Sequence, residues 1–414
     1  MTSTHALVQT ARVTSIILPT ACDYSSPDSK SNRCPQVVAP ARSCISCGVR
    51  VGAGAASIHV GQVIVEFTRQ LGAGQALNAD QVAVAVSALA DERGLLTDKA
   101  AFLTALAKKG ETADEIAAFA RELRDRSVQL PLPADFRAGQ EVLDVCGTGG
   151  DRLNTFNIST TVALVCAAAE VVVAKHGNRA ITSQSGSADV LEALGISIDL
   201  EPAAAAESLQ RHGFVFLFAP KFHPSFKGIG PARRLCAEQG QRTIFNFLGP
   251  LLNPVRPTAQ LLGVSRPELT EPMARTLQVL GLRRAIVVAG EVPTPDGTRA
   301  HLDEFSTLGE NTVAEFYQDR ALSCCRWSPA DLPLAPATLA DLAGGDAQTN
   351  AGLIIDLLCG ELMGPKLEAV LLNAGAALFV AGRARSIAEG WKVAEETIRS
   401  GAAAKKLRAL QGST

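Results

Sequence analysis

Glycines, hydroxyl side chains and amide side chains cluster between residues 141 and 161 in a pattern suited to holding phosphate groups. The apolar run Val142–Val145 predicts a buried strand that leads into the turn Gly147–Asp151 (GTGGD). Glycines there permit positive φ angles and let a ligand approach the bare backbone. Asn157–Thr161 (NISTT) then precedes a helix-like run at 162–169, and a helix start attracts anions. Taken alone, GTGGD could be an ordinary strand-to-helix turn. Together, the glycine-rich turn and the helix start predict a pyrophosphate site.

Cationic and hydroxyl-rich segments follow along the chain. Lys175–Arg179 (KHGNR) comes directly after the strand-like run Val171–Ala174, which places Lys175 at a strand end beside the predicted phosphate loop. An ammonium group there can neutralise pyrophosphate, whereas a lysine taken alone is more often a solvated rim residue. Thr182–Asp189 opens onto the helix-like run Ala188–Leu194, and this second helix start suits either an anion or a simple N-cap.

Acidic and basic side chains nearer the C-terminus add two further chemical possibilities. Asp303 and Glu304 are adjacent carboxylates that follow a predicted strand and turn. Such hard oxygen ligands hold Mg²⁺, although adjacent acids are also common on any surface. Arg233 and Arg234 offer the planar fork that grips a carboxylate, although either alone is more often a surface ion-pair residue.

Alternating apolar and helical runs must position these residues. Strands are predicted at Phe214–Phe218, Leu261–Val264 and Ala285–Val288, in addition to the two strands above. This alternation is typical of an α/β domain with a mostly parallel central sheet, over residues 134–414. Ligands in such domains bind beyond the carboxyl ends of the strands, where the GTGGD turn lies.

A small all-helical domain is predicted over residues 59–130, before a linker marked by Pro131 and Pro133. Helix starts are predicted at three places, by two capping boxes and one N-cap threonine: Asn78 with Gln81, Thr112 with Glu115, and Thr97. The fold class is therefore α/β, with a helical domain joined to a larger α/β domain.

Composition indicates a soluble globular protein. Of the 414 residues 47% are hydrophobic and 19% are charged, and the net charge is −2. This balance predicts no nucleic-acid or membrane partner. The longest apolar stretches are interrupted by charge and are too short to span a bilayer. Ten cysteines in a chain of this length favour a reducing, cytoplasmic location over a disulfide scaffold.

Residues 1–58 predict a disordered extension. The segment is rich in Ser, Thr and Pro, has no Glu and carries only two Asp, Asp23 and Asp28. Scarce acids with scattered basic residues resemble an organelle transit peptide, and an upstream start or a lineage-specific tail would look the same. Cys44 and Cys47 have the spacing of half a zinc site, but no helix or strand pattern supports it.

Six segments in this order resemble anthranilate phosphoribosyltransferases, over about residues 60–410. They are DVCGTGGD at 144–151, NTFNIST at 154–160, AKHGNR at 174–179, SGSADVLEALG at 185–195, RTIFNFLGPLLNP at 242–254 and LDEFS at 302–306. The resemblance implies transfer of the phosphoribosyl group of 5-phosphoribosyl 1-diphosphate (PRPP) to the amine of anthranilate, in tryptophan biosynthesis. It also implies Mg²⁺, a homodimer formed through the helical domain, and completion of that domain by about residues 222–250.

The resemblance assigns site residues by motif. It implies that PRPP is held by Gly147, Gly150, Asp151, Thr155, Asn157, Ile158, Ser159, Thr160, Lys175, His176, Gly177, Asn178, Arg179, Ala180, Ile181, Thr182, Ser183 and Ser187. It implies that anthranilate is met by Gly147, Asn178, Arg233, His176 and His223, and Mg²⁺ by Ser159, Asp303 and Glu304. Lys175 would stabilise the leaving charge, and His176 is the candidate base.

Three departures from the family pattern concern details of the site. Arg152 and Leu153 stand where Gly-Ser is usual, which makes the loop tip bulkier and more basic. Glu170 replaces a glycine after the helix, where a left-handed residue costs about 1 kcal/mol or the helix ends differently. Phe222 and Phe226 replace frequent tyrosines near the expected anthranilate channel.

Two other functions share the expected fold type. A pyrimidine nucleoside phosphorylase would also carry a glycine-rich phosphate loop, but it would not need the carboxylate pair Asp303 and Glu304. A non-catalytic nucleic-acid-binding relative would show a basic groove and would lack those carboxylates. The net charge of −2 disfavours the second alternative.

Overall fold

A computed structural model describes residues 60–180, 184–294 and 297–412. The predictions for residues 1–58, and those for Ile181, Thr182 and Ser183, lie outside the described residues. The helices are α1 Val60–Gly72, α2 Ala79–Ala90, α3 Leu96–Lys109, α4 Ala113–Asp125, α5 Ile158–Ala168, α6 Ser187–Ala193, α7 Pro202–His212, α8 Ala219–Phe222, α9 Phe226–Glu238, α10 Thr270–Val279, α11 Ala347–Cys359, α12 Pro365–Val380, α13 Ile387–Arg399 and α14 Ala402–Gln411. The strands are β1 Val142–Gly147, β2 Val172–Gly177, β3 Phe214–Phe218, β4 Ala259–Gly263, β5 Arg284–Pro293, β6 Arg299–Leu302, β7 Asn311–Tyr317 and β8 Ser323–Trp327.

The sheet confirms the α/β prediction. Its strand order is β3-β2-β1-β4-β5-β7-β8, with β6 paired to β5 outside this path. The first five strands are parallel, and β6, β7 and β8 are antiparallel. The sequence pattern did not predict this antiparallel part, because its strands are short and partly exposed. Their role is to extend the sheet beyond β5, where the Asp303–Glu304 segment follows β6.

Helices cover both faces of the sheet. Strand residues alternate between two cores, so that Leu261 packs with α5 and α11–α14 while the adjacent Leu262 packs with the N-terminal helices. The second core joins α1–α4, α9 and α10 to β4, β5 and β7. Helix α9 also packs on α2 and α3, so a segment from the middle of the chain adds to the N-terminal helices.

The predicted helix starts are confirmed at two of three places. Asn78 and Gln81 form a reciprocal capping box, and so do Thr112 and Glu115. The prediction at Thr97 is wrong: helix α3 starts at Leu96, with Leu95 as its N-cap residue and no side-chain cap. Helices α13 and α14 are separate because Gly401 adopts φ of 76° between them.

Two element boundaries near the site differ from the sequence prediction, and the end of α5 agrees with one of the two expected alternatives. Strand β2 continues through Gly177, so Lys175 and His176 lie within the strand and not after it. Helix α5 begins at Ile158, which places Ser159 and Thr160 in its first turn. Glu170 adopts φ of 66°, so the helix ends through a left-handed residue even without glycine. Among the described residues, no helix has the length and apolar character needed to cross a membrane.

Candidate active site

Parallel strands bring the predicted phosphate loop and the acidic pair to one edge of the sheet. Strands β1 and β4 are in register at Gly147 and Gly263, their last residues. A Cβ atom on Gly263 would overlap the Asp303 carbonyl oxygen, and one on Gly147 would overlap Asp303 Oδ2. Residues 303–304 pack directly on the backbone of both strand ends, so only glycine fits at these two positions.

The carboxylates contact both predicted anion-binding elements. The amide of Gly149 donates to Asp303 Oδ2 at 2.6 Å, and the amide of Ser159 donates to Glu304 Oε1 at 3.2 Å. Burial raises the pKa of Asp303 above its usual value, and the negative charge of Asp151 raises it further. Burial also raises the pKa of Glu304, with a further contribution from the charge of Asp303. A cation at this place would relieve the repulsion among the three acids.

Lys175 connects the strand ends to helix α5. Its side chain is 1% exposed, and Nζ donates to the Val145 carbonyl at 2.6 Å and to Ser159 Oγ at 3.2 Å. The ammonium group therefore lies beneath the glycine turn, next to the first turn of α5. This is the cation that the sequence placed beside the phosphate loop.

The glycine-rich loop is held at both ends and left-handed in between. Thr148 N donates to the Gly263 carbonyl at 2.9 Å, and Gly344 N donates to the Asn154 carbonyl at 3.0 Å. Between these anchors, positive φ angles occur at Gly149, Gly150, Arg152 and Asn154. Arg152 therefore adopts, at φ of 62°, a conformation that glycine would adopt without strain.

The start of α5 has one buried hydroxyl that lacks a hydrogen-bond partner among the described residues. Asn157 is the N-cap residue, but its side chain does not cap the helix; it donates to the Ser185 carbonyl at 3.1 Å. Asn350 Nδ2 in turn donates to Asn157 Oδ1 at 2.8 Å. The hydroxyl of Thr160 is buried and has no hydrogen-bond partner within the described ranges. A buried, unpartnered hydroxyl at a helix start is consistent with a ligand site there.

The segment after β2 is organised by an acidic side chain. Asp189 accepts hydrogen bonds from the amides of Ala180 and Gly186, at 2.9 and 3.0 Å. Arg179 pairs with Asp189 and Glu192, and Ser187 Oγ donates to the Asn178 carbonyl at 3.3 Å. The binding roles of Arg179 and Ala180 stay predictions, since protein groups already contact the Arg179 guanidinium and the Ala180 amide in this structure.

A row of aromatic rings leads away from the phosphate loop. His176 and His223 contact each other through Nε2 atoms 3.2 Å apart, and His223 packs edge-on against Phe226. Arg233 lies over the rings of Phe226 and Phe245, with centroid distances of 5.6 and 5.2 Å. Burial lowers the pKa of His176 well below its usual value and that of His223 to about 4. This end of the site therefore has an arginine over two apolar rings, with two neutral imidazoles beside Phe226 through His223.

Supporting asparagines were missed by sequence reasoning. Asn373 accepts from the Phe305 amide at 2.9 Å and donates to the Phe305 carbonyl at 3.0 Å, which fixes the segment that follows Glu304. Asn350 donates from Nδ2 to the side-chain Oδ1 of Asn157 and so orients that side chain. Both lie on C-terminal helices far along the chain, and no spacing pattern could have connected them to the site.

The site residues fit a divalent cation, although few protein ligands are present. Within the described ranges, no group of three His, Cys, Asp or Glu side chains is close enough to hold a metal ion. Glu304 accepts from the Ser159 amide, Asp303 accepts from the Gly149 amide, and the Ser159 hydroxyl accepts from Lys175. Mg²⁺ usually binds through one or two carboxylates together with substrate phosphates and waters, which agrees with such a sparse donor set.

Comparison with known proteins identifies the class of protein to which the chain is similar. Residues 139–404 match the family model described as glycosyl transferase family, a/b domain, and residues 65–127 match glycosyl transferase family, helical bundle domain. An anthranilate phosphoribosyltransferase of Geobacter sp. (strain M21) is 46% identical over 325 residues, covering 76% of this chain and 88% of the relative. One of Roseiflexus sp. (strain RS-1) is 43% identical over 341 residues, covering 82% and 95%.

Solved structures agree with this class. The anthranilate phosphoribosyltransferase of Thermus thermophilus matches with a TM-score of 0.74 and 39% identity, over 84% of this chain and 98% of that chain. The Saccharomyces cerevisiae enzyme in complex with PRPP and Mg matches with a TM-score of 0.72 and 27% identity, over 85% and 98%. The chain belongs to the anthranilate phosphoribosyltransferase family.

Proposed function

We propose that this protein transfers the phosphoribosyl group of PRPP to the amine of anthranilate, giving N-(5-phosphoribosyl)anthranilate and diphosphate in tryptophan biosynthesis. The observation that carries the proposal is the meeting of four elements at one sheet edge: the Gly147–Asp151 turn, the start of α5, Lys175, and the Asp303–Glu304 pair. Solved relatives from yeast carry PRPP with Mg, and 4-fluoroanthranilate.

The diphosphate end of PRPP fits the glycine turn and the start of α5. Amides in the turn and the first turn of α5 would donate to phosphate oxygens, with those of Gly149 and Ser159 exchanging their bonds to Asp303 and Glu304. The free Thr160 hydroxyl lies at the same helix start. Lys175 supplies a buried positive charge where negative charge grows as diphosphate leaves. When bound by Asp303, Glu304 and Ser159, Mg²⁺ would supply further charge neutralisation of the leaving diphosphate.

Anthranilate fits the aromatic end of the site. Arg233 is half-buried, and its guanidinium can pair with the anthranilate carboxylate while Phe226 and Phe245 border the benzene ring. The imidazole of His223 lies between Phe226 and the imidazole of His176, and Asn178 follows the end of β2. Holding the amine next to the anomeric carbon supplies most of the catalysis that an aryl amine needs, and His176 is the candidate acceptor of its proton.

The activity can be tested directly by the loss of anthranilate fluorescence. Purified protein with anthranilate, PRPP and Mg²⁺ should consume anthranilate, and omission of Mg²⁺ should stop the reaction. Folded protein that consumes no anthranilate under these conditions would contradict the proposal. Consumption of a pyrimidine nucleoside with phosphate would instead favour the phosphorylase alternative.

Arg233 should control the anthranilate subsite. Arg233→Ala removes a charge-assisted hydrogen bond of about 1.5–3 kcal/mol, so KM for anthranilate should rise roughly 10- to 100-fold while KM for PRPP changes little. Arg234→Ala is the matched control, because Arg234 is the adjacent arginine but is exposed. Equal effects of the two substitutions would remove Arg233 from the site.

A second copy of the chain is the proposed partner, at the groove between α3 and α9. The groove has a volume of about 460 Å³ and is lined by Thr97, Ala100, Ala101, Thr104, Ala105, Lys108, Leu235 and Gln239. Small side chains allow a second helix to approach closely, and Leu96 beside them is 43% exposed. Sedimentation should show a dimer that Ala101→Glu converts to monomer; a wild-type monomer would contradict this.

The cytoplasmic location stays a prediction.

A further inference from the structure

A buried asparagine of helix α11 is bonded to the segment that precedes this helix. Asn350 is 2% exposed; its Oδ1 accepts from the Gly345 amide at 2.8 Å, and its Nδ2 donates to the Gly345 carbonyl at 3.2 Å. Because a backbone N–H can only donate, its bond identifies which side-chain atom of Asn350 is the oxygen. The Nδ2 group of Asn350 is therefore the atom that faces Asn157.

The orientation of the Asn157 carboxamide follows from that of Asn350. Asn350 Nδ2 donates to Asn157 Oδ1 at 2.8 Å, and Asn157 Nδ2 donates to the Ser185 carbonyl at 3.1 Å. If the Asn157 amide were reversed, two donors would face each other at Asn350 and two acceptors would face each other at Ser185. The backbone groups of Gly345 and Ser185, at the two ends of this chain of bonds, therefore allow one orientation only.

This chain of hydrogen bonds joins the two segments that carry most of the predicted phosphate-binding residues. Asn157 occupies the N-cap position of α5, and Ser185 lies just before the start of α6. Since the Asn157 side chain bridges these segments, it does not cap α5. The spacing between the two segments is therefore supported by a side chain of a third element, α11.

The segment before α11, and α11 itself, have anchors that do not involve Asn350. Gly344 N donates to the Asn154 carbonyl at 3.0 Å. Asp346 caps α11, because its side chain accepts from the Thr349 amide at 2.8 Å. Replacement of the Asn350 side chain should therefore leave both in place and act mainly on the carboxamide that it faces.

We propose that Asn350 is a positioning residue for the diphosphate of PRPP. It holds the Asn157 carboxamide in the one orientation that ties the start of α5 to the segment before α6. With this bridge in place, both segments are ordered before the diphosphate binds, so less conformational entropy is lost on binding. The identity of the ligand rests on the proposed function, whereas the chain of hydrogen bonds does not.

The binding of inorganic diphosphate with Mg²⁺ to the full-length protein tests this role without turnover, by isothermal titration calorimetry. Asn350→Leu removes the donor to Asn157, so Kd for diphosphate should rise about fivefold or more. Gln348→Leu is the matched control, since Gln348 is exposed on the same helix, and its Kd should stay within about twofold of the wild type. An unchanged Kd in folded Asn350→Leu, or a wild type that binds no diphosphate, would overturn the proposal.

A double-mutant cycle separates positioning from a general structural role. Asn157→Ala removes the carboxamide on which Asn350 acts, and Kd should rise about fivefold or more in this variant too. Adding Asn350→Leu to Asn157→Ala should then change Kd by less than about twofold. A further rise as large as in the wild-type background would show that Asn350 acts by another route and would refute the positioning role.

Asn157→Ala also tests the proposal if Asn350→Leu does not fold. Asn157 is half-buried, and an unchanged Kd for diphosphate in Asn157→Ala would show that the bridge does not support binding, which would refute the proposal. Diphosphate binding by a wild type that consumes no anthranilate would refute the proposed function alone.

Discussion

Lys175 is a buried charge at the junction of three elements of the site. Its Nζ contacts a carbonyl of β1 and a hydroxyl of α5 from a position within β2. A buried ammonium costs free energy unless it is paired, and here neutral oxygens are its hydrogen-bond partners. In the proposed function, the diphosphate of PRPP would supply the missing negative charge.

The substitution Lys175→Met should separate catalysis from stability. We expect kcat/KM to fall about 10²- to 10³-fold, because stabilisation of the leaving charge is lost. Steady-state kinetics and denaturant unfolding of the same preparations measure the two effects.

Lys99 provides the matched control. It is 3% exposed, and its Nζ also donates to two carbonyl oxygens, of Asp91 and Gly228, but among the N-terminal helices and α9. Lys99→Met should lower the free energy of unfolding to a similar degree and should leave the step that releases diphosphate intact. A loss of kcat as large as that of Lys175→Met would mean that the Lys175 effect is structural.

At the scale of elements, the ends of β1 and β4 determine where the acids lie. Asp303 and Glu304 follow β6, yet they reach the phosphate loop only because Gly147 and Gly263 leave their backbones uncovered. The adjacency of the two acids could be recognised from the sequence. Their approach to Gly149 and Ser159 could not, since it depends on the order of strands in the sheet.

Gly263→Ala should displace the acidic segment. Its Cβ would overlap the Asp303 carbonyl, so we expect a loss of about 1–3 kcal/mol in the free energy of unfolding and a higher Mg²⁺ requirement for turnover. Gly139→Ala is the control, because a Cβ there would meet no atom within 4 Å. Thermal unfolding and the Mg²⁺ dependence of the rate measure both effects. A normal Mg²⁺ dependence in Gly263→Ala would argue against this role of the strand ends.

At the scale of the whole molecule, burial of imidazoles makes the fold sensitive to acid. His223 has a folded-state pKa of about 4, below the ordinary 6.5. Above about pH 6.5 the His223 imidazole is neutral in both the folded and the unfolded chain, so protonation does not lower the free energy of unfolding. As the pH falls from about 6.5 to 4, the imidazole of the unfolded chain is protonated first, and the free energy of unfolding decreases. The shift corresponds to at most about 3 kcal/mol. Asp144 acts in the opposite direction, because burial raises its pKa to about 6.

His223→Gln should therefore flatten the acid limb of stability. Between about pH 6.5 and 4, the free energy of unfolding should fall by roughly 2–3 kcal/mol less in the variant than in the wild type. Denaturant unfolding at several pH values measures the difference. His212→Gln, at the end of α7 and only half-buried, should change the slope much less. Parallel pH dependence of the wild type and His223→Gln would contradict this origin of acid sensitivity.

The local chemistry could be predicted from the linear pattern of residues: the GTGGD turn, the cluster of Ser and Thr at the start of α5, two capping boxes and the alternation that defines an α/β domain. These features depend on backbone preferences and side-chain spacings within a few residues. Three contacts could be found only in the folded chain: Asn350 donates to Asn157, 193 residues away, Arg124 donates to the Leu251 carbonyl, and His176 contacts His223. Those contacts follow from strand order and helix packing, which bring together residues that are far apart in the chain and that no periodic sequence pattern connects.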